Sequence, residues 1–193
     1  MLHRPESKYI LNKLAHELPA HLKYHTIAHT MDVYHQSIDI ANEENVSGHE
    51  LQLLLIAALY HDAGYLKQRE NHEHISCEMA REVLPKFSYD EADIDKICEI
   101  IMATKLPQSP TSKLGAIICD ADLDYLGRDD FFEMGHGLYQ EMQTAGVVKS
   151  ESEWNHIQIA FLEKHHFFTE TSLRLRESKK QENLNKLRLK EGI

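Results

Sequence analysis

Apolar residues recur at three- and four-residue spacing along almost the whole chain. This spacing puts apolar side chains on one face of an α-helix, and the alternating, β-branched runs typical of strands are missing. Only eight glycines and five prolines interrupt the pattern over 193 residues. The sequence therefore predicts an all-α fold, and a chain of this length is expected to form one domain around a single apolar core.

The periodic segments predict nine helices. Pro85, the proline-containing stretch 107–110 and Gly146 indicate loops, and Ser88 and Ser150 are suited to cap the helices that follow them. The predicted helices cover residues 5–22, 26–44, 48–61, 72–84, 89–104, 111–126, 129–145, 150–166 and 169–190.

The charge balance is acidic, with 21 Lys and Arg residues against 31 Asp and Glu residues and a formal net charge of −10. Such a chain repels nucleic acid and anionic membranes as bulk partners, so any phosphate must be held locally by a cation or a few placed basic residues. The longest apolar run, residues 51–60, is too short to span a bilayer. Cys77, Cys98 and Cys119 are odd in number and widely spaced, which favours free buried thiols in a reducing compartment. We therefore expect a cytoplasmic protein.

The pair His61-Asp62 directly follows that apolar run, and its two side chains could supply two of the ligands of a metal ion. Adjacent helical residues point about 100° apart, so both can reach one ion only where the last turn faces a cavity. His29 and Asp120 also lie in or beside apolar helical patterns, where a buried polar group costs free energy unless something compensates it. A bound cation would do so.

The chemistry of such a site follows from its ligands. Imidazole and carboxylate ligands without a thiolate favour Mn²⁺, Fe²⁺, Ni²⁺, Co²⁺ or Mg²⁺ over a structural zinc. An ion with open positions lowers the pKa of bound water and polarises a phosphoryl oxygen. Hydrolysis is the expected reaction.

Three motifs resemble the HD-domain metal-dependent phosphohydrolases. They are Tyr-His-x-x-x-His at residues 24–29, Ala-Leu-Tyr-His-Asp-Ala-Gly-Tyr at 58–65, and Asp-Ala-Asp-Leu-Asp-Tyr-Leu-Gly at 120–127. The resemblance implies one cation held by His29, His61, Asp62 and Asp120. It also implies a bundle of five or more helices, in one HD-type domain over residues 1–193 with its core at about 24–145 and helices 150–190 packed on it.

The first motif is similar to that of cyclic-nucleotide phosphodiesterases, where the earlier histidine protonates the leaving oxygen. This resemblance makes His25 a candidate general acid, although Thr26 stands where those enzymes usually have asparagine. An orienting role for His25 stays open. Asp62 is a candidate catalytic residue as well as a ligand. Of the basic residues, Lys105 at the end of a predicted helix is best suited to meet a phosphate, ahead of Lys67 and Arg69.

A second cation is a further prediction. Some HD subgroups have a Glu or His after the His-Asp loop, and His72 and Glu73 occupy that region here. Asp62 could bridge two ions through its two oxygens. Alternatively, His72 and Glu73 are solvated residues at the start of a helix and bind no metal. We expect one tightly held metal, and a second that binds weakly or only with substrate.

The sequence and the resemblance together predict a metal-dependent phosphohydrolase or phosphodiesterase that acts on a small phosphorylated molecule. A nucleotide or cyclic nucleotide is the substrate class that family analogy favours. No nucleic-acid or membrane partner is expected, and a homodimer stays open. Two alternatives are a di-iron oxygenase of the HD fold, with His72 or His74 as extra ligands, and a non-catalytic metal-binding helical module.

Overall fold

The computed structural model describes residues 1–193, which form nine α-helices joined by loops and short 3₁₀ turns, with no strand. The predicted all-α fold is confirmed. The helices are α1 (Pro5–Glu17), α2 (Ile27–Glu43), α3 (Gly48–Tyr60), α4 (His72–Val83), α5 (Glu91–Ala103), α6 (Lys113–Asp122), α7 (Phe131–Thr144), α8 (Glu151–Lys164) and α9 (Glu170–Glu191).

Two helices end four or five residues earlier than the periodicity predicts. Helix α1 stops at Glu17, because Pro19 restricts Leu18 to an extended conformation, with φ −61° and ψ 136°. Helix α6 stops at Asp122, and a 3₁₀ turn, Asp124–Gly127, follows it. The chain is therefore irregular just before α2 and directly after α6.

The capping predictions have different outcomes. The Ser150 hydroxyl accepts a hydrogen bond from the Glu153 amide at 3.2 Å, so this predicted cap is confirmed. The prediction for Ser88 was wrong. Ser88 has a positive φ of 66° after the preceding turn, and Asp90 instead caps α5 by accepting from the Asp93 amide at 2.9 Å.

The chain divides into two compact units, and the first comprises Met1–Pro19 and His25–Asp122. Helix α3 is its centre, because every residue from Leu53 to Tyr60 is buried. A helix that is apolar all round is stable only when other elements enclose it. Helices α1, α2, α4, α5 and α6 all pack against α3.

The second unit comprises Ala20–Tyr24 and Leu123–Ile193, and so contains α7, α8 and α9. Its own apolar cluster includes Tyr24, Phe131 and Leu162. The expectation of a single core was therefore wrong: apolar residues of the last three helices cluster with one another. The assignment of all 193 residues to one domain stays a prediction.

Two sequence-based expectations concern the rest of the chain. Cys77, Cys98 and Cys119 are buried and form no disulfide, as predicted. None of the helices combines the length and the apolar character that a bilayer crossing requires.

His165, in the second unit, is a titratable group without a hydrogen-bond partner. Both of its ring nitrogens are buried and unpaired, between Phe161 and Phe167. Burial, the nearby ammonium of Lys180 and the neighbouring His166 lower the pKa of His165 to about 4, and Glu177 opposes them only weakly. The folded protein therefore holds this imidazole neutral.

This burial makes stability depend on pH. Because the folded pKa lies below the unfolded value of about 6.5, the unfolded state takes up the proton first. The contribution of His165 is complete above pH 6.5 and is lost as the pH falls towards 4. We expect wild type to lose about 2 kcal/mol more unfolding free energy than His165→Phe between pH 7 and pH 4.5. Urea unfolding of both proteins at the two pH values measures this difference, and equal losses would contradict it.

Candidate metal centre

Four side chains of the first unit bring a nitrogen or oxygen atom to one point. The Nε2 atoms of His29 and His61 lie 3.4 Å apart. Oδ2 of Asp62 is 3.4 and 3.2 Å from these two nitrogens, and Oδ1 of Asp122 is 3.2 and 3.6 Å from them. The ligand atoms of His29, His61 and Asp122 all lie within 4.8 Å of one another, a spacing that one metal ion can bridge, and Asp62 lies against both histidines.

Three helices carry the four residues. His29 lies in the first turn of α2, and Asp122 is the last residue of α6. His61 follows α3 in a helical conformation, whereas Asp62 leaves it with φ −102° and ψ 8°. The change of backbone direction between His61 and Asp62 is what lets two adjacent side chains reach one point.

The loop after Asp62 is fixed against α4. The Ser76 hydroxyl donates to the His61 carbonyl at 2.8 Å and accepts from the Gly64 amide at 2.8 Å. A Cβ added to Gly64 would lie 2.1 Å from the carbonyl oxygen of His72, so only glycine fits this approach. These contacts hold the His-Asp pair in place.

A hydrogen bond sets the orientation of the His61 ring. Its Nδ1 lies 2.8 Å from the Ala58 carbonyl oxygen, which can only accept, so Nδ1 carries a proton. In the neutral ring, Nε2 then points a lone pair at Asp62 and Asp122. A histidine whose other nitrogen donates to a backbone carbonyl is the usual form of a metal ligand.

The group combines buried acids and bases. Burial lowers the pKa of His29, but contacts with Asp122 and Asp62 outweigh it and leave the pKa raised; the pKa of His61 is raised for the same reasons. Burial raises the pKa of Asp62 and of Asp122, but the two histidines outweigh it and hold both values below the ordinary range. Without a metal, protons balance the carboxylates.

Asp122, and not the predicted Asp120, is the carboxylate that approaches the two histidines. Residues two apart on a helix point about 200° apart, so the two aspartates face different sides of α6. Asp120 is completely buried on the other side and is not part of the group around His29 and His61. We therefore replace Asp120 with Asp122 in the candidate ligand set.

Two isosteric variants separate these aspartates. We expect Asp122→Asn to weaken Mn²⁺ binding by more than about 100-fold, because it removes a charged oxygen from the cluster. Asp120→Asn should change the affinity less than about tenfold. Metal titrations of both purified variants measure the two effects, and a larger loss in Asp120→Asn would return the ligand role to Asp120.

A second group lies beside the first. The rings of His25 and Tyr65 stack with centroids 4.1 Å apart, and the Tyr65 hydroxyl is 3.1 Å from Nε2 of His25. The His72 ring packs on Tyr65 at 4.3 Å, and the ring of His25 lies 6.0 Å from that of His29. His25 therefore lies next to the candidate ligands without belonging to their group. Tyr65 was not singled out from the sequence, although it ends the quoted His-Asp motif.

The structure brings His72 to Asp62 and Glu73 to His72. Nε2 of His72 is 3.4 Å from Oδ1 of Asp62 and 3.6 Å from Oε1 of Glu73. The Nδ1 atom of His72 lies 2.9 Å from the Arg69 carbonyl oxygen and so carries a proton, which leaves Nε2 free to bind a cation when the ring is neutral. The two oxygens of Asp62 thus face two different groups of side chains.

Two of the predicted phosphate-binding bases, Lys105 and Lys67, have exposed side chains. Lys105 lies at the end of α5, and Lys67 lies after the His-Asp turn. A phosphate-binding role for Lys105 stays a prediction.

Comparisons with known proteins bear on these residues. A model of the HD domain family matches residues 26–124, a range that includes His29, His61, Asp62 and Asp122 and begins one residue after His25. A crystal structure of a predicted HD superfamily hydrolase from an uncultured Thermotogales bacterium is similar over 97% of this chain and 92% of its own. The TM-score is 0.66 and the identity 23%, which establishes similarity of fold. No curated protein matches the chain.

Proposed function

Because the chain belongs to the HD domain family, we propose that it is a metal-dependent hydrolase of phosphate esters. In this proposal His29, His61, Asp62 and Asp122 hold a divalent ion. The substrate is a small phosphorylated molecule, with a nucleotide or cyclic nucleotide as the first class to test.

One observation carries the proposal: buried nitrogen and carboxylate oxygen atoms of four side chains converge, and a proton or a cation must lie among them. When its ring is neutral, His61 directs the Nε2 lone pair at two carboxylates, and Oδ2 of Asp62 is buried without a hydrogen bond. Buried acceptors that face one another repel unless a proton or a metal ion lies among them. The donor set therefore fits a bound cation.

The kind of ion follows from the ligand atoms. Two imidazole nitrogens and two carboxylate oxygens, without a thiolate, suit Mn²⁺, Fe²⁺, Ni²⁺, Co²⁺ or Mg²⁺. Four protein ligands leave positions open in a five- or six-coordinate shell. When bound there, such an ion supplies Lewis-acid polarisation of a phosphoryl oxygen and acidifies water.

Three side chains have separate roles in the proposed reaction. His25 is half-buried beside the ligand group, so it can hold a proton near the leaving oxygen of an ester. Tyr65 packs flat against His25 and restrains its ring. Asp62 directs one oxygen to the histidine pair and the other to His72.

A weaker second ion is part of the proposal. Oδ1 of Asp62 and Nε2 of His72 are two potential ligands on the far side of Asp62, and Oε1 of Glu73 lies 3.6 Å from the same His72 nitrogen. We expect wild type to bind a second Mn²⁺ weakly or only with substrate, and the double variant His72→Ala/Glu73→Gln to lose that step. A titration of metal-free protein measures the stoichiometry, and equal stoichiometry and activity in both proteins would remove this pair from the site.

The test of function begins with metal analysis of the purified protein. Hydrolysis of a panel of nucleotides, cyclic nucleotides and simple phosphodiesters is then measured with Mn²⁺, Mg²⁺, Fe²⁺ and Ni²⁺. The proposal expects at least one phosphate ester to be hydrolysed only with added metal. Two irons per chain with oxygen-dependent activity would instead identify an oxygenase. Failure to retain any divalent ion would identify a non-catalytic module.

A further inference from the structure

Two cysteines of the first unit, Cys77 on α4 and Cys98 on α5, face each other between their helices. The Cys77 thiol lies 3.6 Å from the Cys98 carbonyl oxygen, and the Cys98 thiol lies 3.8 Å from the Cys77 carbonyl oxygen. Each sulfur atom therefore lies against the backbone of the other cysteine. A disulfide requires two cysteines on neighbouring backbone segments with side chains that point towards each other, and this pair meets that requirement.

The two thiols differ in reactivity. A hydrogen bond from Cys77 holds the pKa of the Cys98 thiol below its ordinary value, although burial opposes it, and the nearby cation of Arg81 acts in the same direction. The hydrogen bond to Cys98 and burial both raise the pKa of Cys77. The thiolate is the nucleophilic form of cysteine, so Cys98 is the nucleophile of the pair.

The pair lies about one helical turn below the surface. Arg81 follows Cys77 by four residues on α4, and Asp95 precedes Cys98 by three on α5. Residues at these spacings share a helix face, and the two charged side chains form an ion pair at 2.7 Å while 50% and 58% exposed. The two cysteines are themselves 7% and 5% exposed, whereas Cys119 is completely buried. A thiol beside a cation and close to solvent has the usual setting of a reactive cysteine.

We propose that Cys77 and Cys98 form a redox-modification site whose oxidant is hydrogen peroxide. The Cys98 thiolate attacks one peroxide oxygen, so that an S–O bond forms, the O–O bond breaks and the leaving hydroxide takes up the proton that this thiol released. The Cys77 sulfur then attacks the sulfenic acid at its sulfur; the S–S bond forms, the S–O bond breaks, and hydroxide leaves with the Cys77 proton as water. The two thiols are oxidised by two electrons, and one peroxide is reduced to two water molecules.

The disulfide acts on the candidate metal centre through α4. Ser76 directly precedes Cys77, and its hydroxyl bonds to the His61 carbonyl and the Gly64 amide, each at 2.8 Å. An S–S bond is only about 2.0 Å long, much shorter than the contact of two unbonded sulfur atoms, so its formation moves α4 relative to α5. The Ser76 hydroxyl moves with the helix and disturbs the loop after the His-Asp pair. The modification site itself does not rest on the proposed function.

The first test counts thiols. Metal-free protein is treated with hydrogen peroxide, the excess is removed with catalase, and free thiols are titrated in denaturant. We expect wild type to fall from three free thiols to one, to lose the mass of two hydrogen atoms, and to recover all three thiols with dithiothreitol. Peptide mapping should place the bond between residues 77 and 98. Three intact thiols, or a bond that includes Cys119, would overturn the site.

Serine variants test the role of each cysteine. Cys98→Ser should keep its remaining thiols under the same treatment, and Cys77→Ser should form a sulfenic acid at Cys98 that dimedone traps. Cys119→Ser is the matched control, because serine can keep the hydrogen bond that this thiol donates to the Ala103 carbonyl at 3.0 Å. We expect this control to form the disulfide at the wild-type rate. Peroxide-reactive Cys77 in the Cys98→Ser variant would overturn the assignment of Cys98 as nucleophile.

The effect on the metal centre has two readouts. The amide resonance of Gly64 should shift on oxidation of wild type but not of Cys98→Ser, and Mn²⁺ affinity should fall by about tenfold in the oxidised wild type. An unmoved Gly64 resonance, or an unchanged affinity in a protein that binds Mn²⁺, would overturn the coupling. A shifted resonance in a protein that binds no Mn²⁺ in either state would uphold the coupling and reject the metal-dependent function alone.

Discussion

Replacing Asp62 with alanine is expected to abolish metal retention and metal-dependent hydrolysis while leaving the helix content nearly unchanged. Oδ2 of Asp62 lies within 3.4 Å of both histidine nitrogens, and Oδ1 faces His72, so no other residue contacts both groups in this way. The side chain caps no helix, and the Ser76 hydroxyl still binds the His61 carbonyl without it. Metal analysis, circular dichroism and initial rates measure the three quantities.

Asp39→Ala is the matched control for this variant. Asp39 is an exposed aspartate of α2, outside the candidate site, and its loss should leave metal content and rate at wild-type levels. An Asp62→Ala protein that keeps both its ion and its rate would remove the proposed site. A variant that loses helix content together with its metal would instead assign Asp62 a structural role.

The ends of the helices show what periodicity can predict. The apolar spacing predicted nine helices, and the structure has nine. The periodic pattern extended the first predicted helix beyond Pro19, although a proline disfavours the helical conformation of the residue before it. The local signal was therefore present, and the wider periodic pattern outweighed it. That error concealed the irregular segment from which His25 extends.

The choice between Asp120 and Asp122 shows where periodicity fails. An amphipathic helix reveals its buried face, but α6 is buried on nearly every side, including Ile117 and Ile118 on different faces. The apolar pattern therefore did not say which aspartate faces the histidines. That depends on the rotation of α6 against α2, which packing in three dimensions determines.

Contacts between distant residues were the other missing information. Tyr65 packs on His25 across forty residues of chain, and Glu141 binds the Tyr24 amide across 117. No periodic pattern or motif in a single sequence predicts either of these two contacts. In contrast, His29, His61 and Asp62 were identified because polar residues in apolar helical patterns require compensation within the fold itself.

His25→Ala is expected to lower turnover by about two to four orders of magnitude while metal content stays at the wild-type level. His25 lies beside the ligand group, with its ring 6.0 Å from that of His29, so it can serve the leaving group without holding the ion. Single-turnover rates and metal analysis on the same preparation separate the two effects. Metal occupancy that falls in step with rate would make His25 a ligand or a support for one.

Two further variants define how His25 acts. Tyr65→Phe keeps the stacked ring but removes the hydroxyl 3.1 Å from Nε2, and we expect it to cost about tenfold in rate, because a lost orienting hydrogen bond displaces the acid without deleting it. His136→Ala removes an exposed histidine of α7 and should leave the rate unchanged. If Tyr65→Phe costs as much as His25→Ala, the hydroxyl itself delivers the proton, and His25 only orients it.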